Sequence, residues 1–178
     1  MLTDAVLIAR VVHDDDRAAF GELVRRHQPM VRGFLRRMLG SARDAALADD
    51  LAQETFIKAH RALAGYRGGA TFASWLCAIA ANELRGEWRR RKRRAEFHDD
   101  ENIDAAADER EPALAHDLAS GLARLTEAQR AALVLCCEHG LTHEEAARAM
   151  SCPVGTVKSH VARGKARLRA WLELEETA

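Results

Sequence analysis

Long apolar runs are missing from this chain. No stretch approaches the ~20 consecutive apolar residues a membrane-spanning helix needs, so no membrane insertion is expected. The first residues also lack a charged start followed by an apolar run, so no secretory signal is expected. Only 3 prolines interrupt 178 residues, and the 11 glycines fall mostly at element breaks. Aromatic residues make up 5% of the chain. The four cysteines, Cys77, Cys136, Cys137 and Cys152, match no zinc spacing and suit free thiols in a reducing cytoplasm. Cys136, Cys137, His139 and His143 are close in sequence, but adjacent helical cysteines point about 100° apart, a poor geometry for joint chelation. No Ser/His/Asp, Cys/His or metal-ligand arrangement is present, so neither an enzyme nor a metal or other cofactor is expected. The formal net charge is +0, which alone says nothing of partners.

What is present is helix-forming. Alanine, leucine, arginine and glutamate dominate, and these rank high in helix propensity. Phe20, Leu23, Val24, Val31, Phe34, Leu35 and Met38 recur at steps of three and four, predicting an amphipathic helix over 18–39, bent or broken near Pro29. The run His13-Asp14-Asp15-Asp16 offers its N-cap. A second helix is predicted over 44–64, with Leu47, Leu51, Phe56, Ala59 and Leu63 inward and Gly65 as its stop. Thr71 caps a third, with Phe72, Trp75, Leu76, Ile79 and Leu84 inward, running to about Arg94. Beyond residue 111, Pro112 suits a helix start, with helices over 113–124, 127–138 and 143–150. Thr126 with Gln129, and Thr142 with Glu145, read as capping boxes. Pro153 precedes a last helix.

Charge is segregated along the chain. RGEWRRRKRR (85–94) is basic, and EFHDDENIDAAADERE (96–111) is acidic and aperiodic. The expected architecture is therefore all-α. Two small helical domains, 1–94 and 112–174, are joined by a flexible acidic linker at 95–111.

The C-terminal segment reads as helix, turn, basic helix, the parts of a major-groove reader. In the last helix Val154, Val157, Val161 and Leu168 face the core. Thr156, Lys158, Ser159, His160, Arg163, Lys165, Arg167 and Arg169 are left on other faces, where they can meet phosphates or base edges. Asp49, Asp50, Gln53 and Glu54 form an acidic and amide patch suited to a basic partner. The loop Tyr66-Arg67-Gly68-Gly69-Ala70 lets backbone approach a ligand closely. Tyr66 can stack on a base or pack in the core, and packing is favoured. Arg85, Arg89, Arg90, Arg91, Lys92, Arg93 and Arg94 suit the tracking of phosphates.

LTHEEAARAMSCPVGTVKSHVARGKARL (141–168) resembles the minus-thirty-five-binding domain of extracytoplasmic-function (ECF) sigma factors. DDLAQETFIKAHRAL (49–63) resembles the helix with which such factors grip the RNA polymerase clamp. YRGGATFASWLCAIAANELRGEWRRRKRR (66–94) resembles their minus-ten segment. The resemblance implies a bacterial promoter-specificity subunit that binds core RNA polymerase, at clamp helices and flap, and promoter DNA. It implies an anti-sigma factor as a further partner. Polymerase contacts then fall on Asp49, Asp50, Gln53 and Glu54. Minus-ten contacts fall on Tyr66, Arg67, Gly68, Asn82, Arg85, Arg89 and Arg90, with Asn82 bonding a flipped base. Minus-thirty-five contacts map onto Lys158, Ser159 and Arg163, with Thr156, His160 and Lys165 beside them. Gly69 and Ala162 depart from the family's usual acidic and aromatic residues there. The alternative is a stand-alone helix-turn-helix regulator with an N-terminal sensor, which would not need the two N-terminal motifs.

Overall fold

A computed structural model of the protein describes residues 2–41, 44–97 and 120–175. Among these, the regular elements are all helical. In chain order they are α1 (Asp4–Asp14), α2 (Arg17–Leu39), α3 (Ala45–Ala62), α4 (Phe72–Phe97), α5 (Glu127–Leu133), α6 (His143–Met150) and α7 (Val154–Glu175). A 3-10 turn, Leu63–Gly65, follows α3, and one π-helical turn, Val134–Glu138, follows α5.

Local chemistry sets most of the boundaries. The side chain of Asp16 accepts from the Ala19 N–H at 2.9 Å and starts α2. Asp15 just before it is left-handed at φ 49°, and its N–H closes α1 onto Arg10. Helix α1 itself was not expected. Its buried Leu7, Ile8 and Val11 lie on α2, and the acidic run that marks the start of α2 also ends α1. Pro29 does not break α2, which continues from Arg17 to Leu39. Pro29 and Arg25 are both exposed, on a side of α2 where solvent can meet the carbonyl that loses its donor. Both predicted capping boxes are formed, by Thr126 with Gln129 and by Thr142 with Glu145. Gly40 ends α2 and Gly140 ends the π-turn, both at positive φ. The helix predicted over 127–138 is α-helical only to Leu133 and then widens into the π-turn. Helix α4 continues past Arg94 to Phe97, since Ala95 and Glu96 are no helix breakers. The rest of the expected acidic linker, and the start of the helix expected over 113–124, lie outside the described residues; residues 120–123 are helical.

Two helical domains result. In the first, Leu23, Phe34 and Leu35 of α2, Leu51, Phe56 and Ala59 of α3, and Phe72, Leu76, Cys77 and Leu84 of α4 are buried together. In the second, Leu133 and Leu135 pack with Ala146, Ala149, Val157 and Val161. The approach of α7 to α5 is close: a Cβ on Gly164 would stand 2.8 Å from Leu133 Cδ1. Likewise a Cβ on Gly121 would stand 2.8 Å from the Trp171 ring. The two domains also touch, because α4 packs on α6 as well as on α2 and α3.

Gly164→Val should lower stability by about 1–3 kcal/mol, since it overpacks a filled contact. Gly21→Ala, on an exposed stretch of α2 with nothing within 4 Å of its Cβ, should raise it by about 0.5–1 kcal/mol. Denaturant melts read by helical circular dichroism measure both.

Candidate nucleic-acid and polymerase interfaces

The recognition element is built from local signals. Thr142 and Glu145 lock the start of α6 by exchanging side-chain and backbone bonds. Ser151 takes a left-handed conformation at φ 55° and turns the chain. The Thr156 N–H then reaches the Pro153 carbonyl at 2.9 Å, and α7 begins. Val157 and Val161 are buried as expected. Lys158, Arg163, Lys165, Arg167 and Arg169 are exposed, while Thr156, Ser159 and His160 are half-buried. Cationic and hydroxyl groups on one exposed helix can hold phosphates and read guanine edges.

The loop at residues 66–70 is tied off by Tyr66, whose hydroxyl donates to the Ala70 carbonyl at 2.5 Å. The Tyr66 ring meets Phe72 at 5.7 Å and Trp75 at 5.2 Å between centroids. Its half-buried ring therefore packs, as favoured from sequence. Arg67, Gly68 and Gly69 are exposed, and Gly68 has φ +69°. Asn82 is exposed on α4, and its Oδ1 accepts from Arg85 Nη2 at 2.5 Å. The Asn82 amide keeps its two donors for a base edge.

The basic tail of α4 is less uniform than its sequence. Glu87 is 7% exposed. Its carboxylate lies 2.8 Å from Arg90, 3.5 Å from Arg91 and 3.6 Å from Arg94. Arg91 also donates to Asp44 at 2.7 Å, so Asp44 starts α3 without a side-chain cap bond. Arg89, Arg90, Arg91, Arg93 and Arg94 are all exposed, and what sets Arg90, Arg91 and Arg94 apart is the carboxylate they share.

On α3 the acidic patch divides. Asp49 accepts a two-pronged bond from Arg32 and a further one from Arg36 at 3.3 Å. The Arg32 guanidinium holds its carboxyl below the usual carboxylate range. Asp50 and Gln53 are exposed. Glu54 stands 3.6 Å from Lys58, which is itself bonded to Glu83 at 2.6 Å.

Sequence reasoning missed the contact between the domains. Arg130 donates to the Met38 carbonyl at the end of α2 at 3.0 Å, and to Leu122 at 2.9 Å and Ala123 at 3.3 Å. Thr71 donates to Glu145 at 2.5 Å, and Ser74 to the Glu145 carbonyl at 3.0 Å. Arg37 pairs with Glu138 at 3.3 Å. A carbonyl acceptor carries no residue-type signal, so Arg130 could not have been found. Between the domains lies a cavity of about 170 Å³. Its walls include Arg85 and Trp88 from α4, and Glu127, Cys152 and His160 from the other domain.

Among the described residues no three His, Cys, Asp or Glu side chains are placed to hold a metal ion. Cys77 is fully buried, and burial pushes its thiol up to about 12, an unreactive core residue. Cys136 is half-buried and Cys137 exposed.

The sequence profile of sigma-70 region 2 matches residues 23–94, and that of sigma-70 region 4 matches residues 116–168. The chain is 36% identical to the RNA polymerase sigma-H factor of Pseudomonas aeruginosa, covering 91% of this chain and 90% of that protein. It is 36% identical to the ECF RNA polymerase sigma-E factor of Escherichia coli, covering 92% and 91%. Among solved structures it is similar to the sigma factor RpoE in complex with the anti-sigma factor NepR from Bartonella quintana. That likeness has a TM-score of 0.74 at 27% identity, over 86% of this chain and 96% of that one. It is also similar to CnrH in complex with the cytosolic domain of CnrY, with a TM-score of 0.72 at 30% identity, over 96% and 97%.

One group at the domain contact has a distinct pH signature. His139 Nε2 is buried without a hydrogen-bond partner, and the ring lies against Gly33 of α2. Burial lowers its pKa, with Arg37 adding to the lowering and Glu138 opposing it. The unfolded chain therefore binds a proton here more readily than the folded one. This contribution is complete above the ordinary histidine value and is lost as pH falls below it, through the lowered folded-state value. Stability should begin to drop as pH falls below about 6.5, the unperturbed His pKa, and His139→Gln should flatten that drop. The carboxylates with lowered values, Asp49, Glu145 and Glu22 at about 2, act only at more acid pH. Thermal melts of both proteins across that range check it.

Proposed function

The chain belongs to the sigma-70 family as an ECF-type sigma factor, and we propose how its residues divide the work of promoter recognition. An ECF sigma factor binds core RNA polymerase and promoter DNA and directs transcription initiation. We assign residues 1–94 to clamp binding and minus-ten recognition, 95–111 to a linker, and 112–174 to the minus-thirty-five element. The observation that carries the assignment is the capped helix-turn-helix with exposed Lys158, Arg163 and Lys165, paired with exposed Asn82 on a separate helix. One α-helix fits the major groove of duplex DNA. An amide with free donors suits a base taken out of a melted strand, where unpairing costs least.

Lys158 and Arg163 reach base edges or phosphates, with Ser159, Thr156, His160 and Lys165 beside them. Tyr66 acts by closing the loop that presents Arg67 and Gly68. Asp50 and Gln53, exposed on α3, meet the polymerase clamp. Glu54 adds to this face. Asp49 supports it by holding α3 to Arg32. An anti-sigma factor as inhibitory partner is supported by the two structural relatives, of which RpoE is bound to one. The reading places the protein in the cytoplasm; among the described residues no helix is long and apolar enough to cross a membrane. The stand-alone regulator is not favoured, because the region 2 match spans residues 23–94.

Run-off transcription with bacterial core polymerase on a genomic template library tests the function. Discrete starts that need this protein, sharing two spaced upstream elements, are expected. No starts and no co-elution with core polymerase would sink the reading. Arg163→Ala should cost about 1–3 kcal/mol at the cognate promoter if Arg163 reads a base. A uniform loss across unrelated sequences would instead show a phosphate contact.

A further inference from the structure

The tail of α4 carries two different kinds of arginine. Asn82, Arg85, Arg89 and Arg93 recur at steps of three and four residues and so share one face of the helix. Glu87, Arg90, Arg91 and Arg94 recur at the same kind of spacing on the opposite face. The second set is an ion-pair cluster around one nearly buried carboxylate, with Arg91 also drawn onto Asp44 at the start of α3. Three guanidiniums meet two carboxylates there, which leaves little net charge on that face. A run that looks uniformly basic in sequence is therefore one basic stripe, continuous with Asn82, backed by a neutralised face.

We infer that Glu87 is a specificity-determining residue of the minus-ten helix. It withholds Arg90, Arg91 and Arg94 from nucleic acid, so that phosphates are tracked along the Asn82–Arg85–Arg89–Arg93 stripe alone. The physical reason is the sequence independence of phosphate binding. Every extra cation that reaches DNA strengthens binding to all sequences alike and narrows the margin for the cognate site. A helix that carries this many arginines, one of them tied to Asp44 at the start of α3, needs a counter-charge to keep the others from binding indiscriminately. Glu87 supplies it from a position within one to two turns of all three. This inference rests on the promoter-recognition reading above, and it moves Arg90 from the DNA-facing set assigned from sequence to the clamped one.

The test is the salt dependence of binding by the full chain to a random-sequence duplex, followed by fluorescence anisotropy between about 50 and 200 mM salt. Glu87→Gln keeps the shape and removes the charge. It should steepen the slope of log K against log salt by about 1–3, at about 0.9 per added phosphate, and tighten binding several-fold at low salt. The combined change Arg89→Gln and Arg93→Gln should make the slope shallower by about 2. Arg91→Gln with Arg94→Gln should shift it by less than half as much. An unchanged or shallower slope for Glu87→Gln would overturn the inference, because no arginine would then have been released to phosphate. So would an equal loss from the Arg91 and Arg94 pair, which also decides the matter if Glu87→Gln loses helical content. Run-off transcription by the wild-type holoenzyme separates the two readings. If it starts nowhere the sigma-factor assignment fails, while the slopes still decide the role of Glu87.

Discussion

Helix α4 is packed from two sides at once. Phe72, Leu76, Cys77 and Leu84 fill the space between α2 and α3, and the same helix lies along α6 of the other domain. Burying these side chains is the constraint on which the remaining structure depends. It fixes the rotation of α4 about its own axis, and that rotation decides that Asn82 is exposed and that Glu87 is nearly buried. Burial is non-directional and strong, about 1.5–3 kcal/mol for a fully buried large apolar side chain. The polar groups take the positions it leaves them.

Those polar groups are largely spent inside the molecule. Glu22 pairs with Arg25 and Arg26, Asp49 with Arg32 and Arg36, and Glu87 with three arginines. Exposed pairs of this kind contribute little each. Their effect is to sort the cations. Arginines with a carboxylate in reach, along the same helix or across to another, are paired, and Arg89, Arg163 and Arg167 are left exposed. A chain of zero net charge can then present strongly basic surfaces where nucleic acid is met.

Local chemistry was legible in the sequence and distant chemistry was not. The boxes at Thr126 and Thr142 and the inward positions of Val157 and Val161 follow from residues within one or two turns. Helix α1 escaped because Asp14, Asp15 and Asp16 serve two helices at once, and sequence reasoning gave them to one. Of the bend or break expected at Pro29, the break does not occur, since Pro29 lies on an exposed stretch of α2 where solvent can meet a freed carbonyl. The patch at Asp49 was read as facing a partner, while Arg32, 17 residues earlier, takes that carboxylate within the chain. Nothing near either residue announces the pair. The same holds for Arg130, whose partners are backbone carbonyls.

The cavity between the domains has a consequence for affinity. Arg85 and His160, each on a helix suited to a different stretch of DNA, line one space of about 170 Å³. Where binding requires both helices to engage separated DNA segments through this shared face, that space has to open. Every molecule in the docked arrangement is thus subtracted from the binding-competent pool, and the apparent dissociation constant rises in inverse proportion to the fraction that is open. Any third molecule that prefers the separated domains lowers it again without touching DNA. The bonds of the contact, Arg130 on the Met38 carbonyl, Thr71 and Ser74 on Glu145 and Arg37 on Glu138, are then what such a molecule must outweigh.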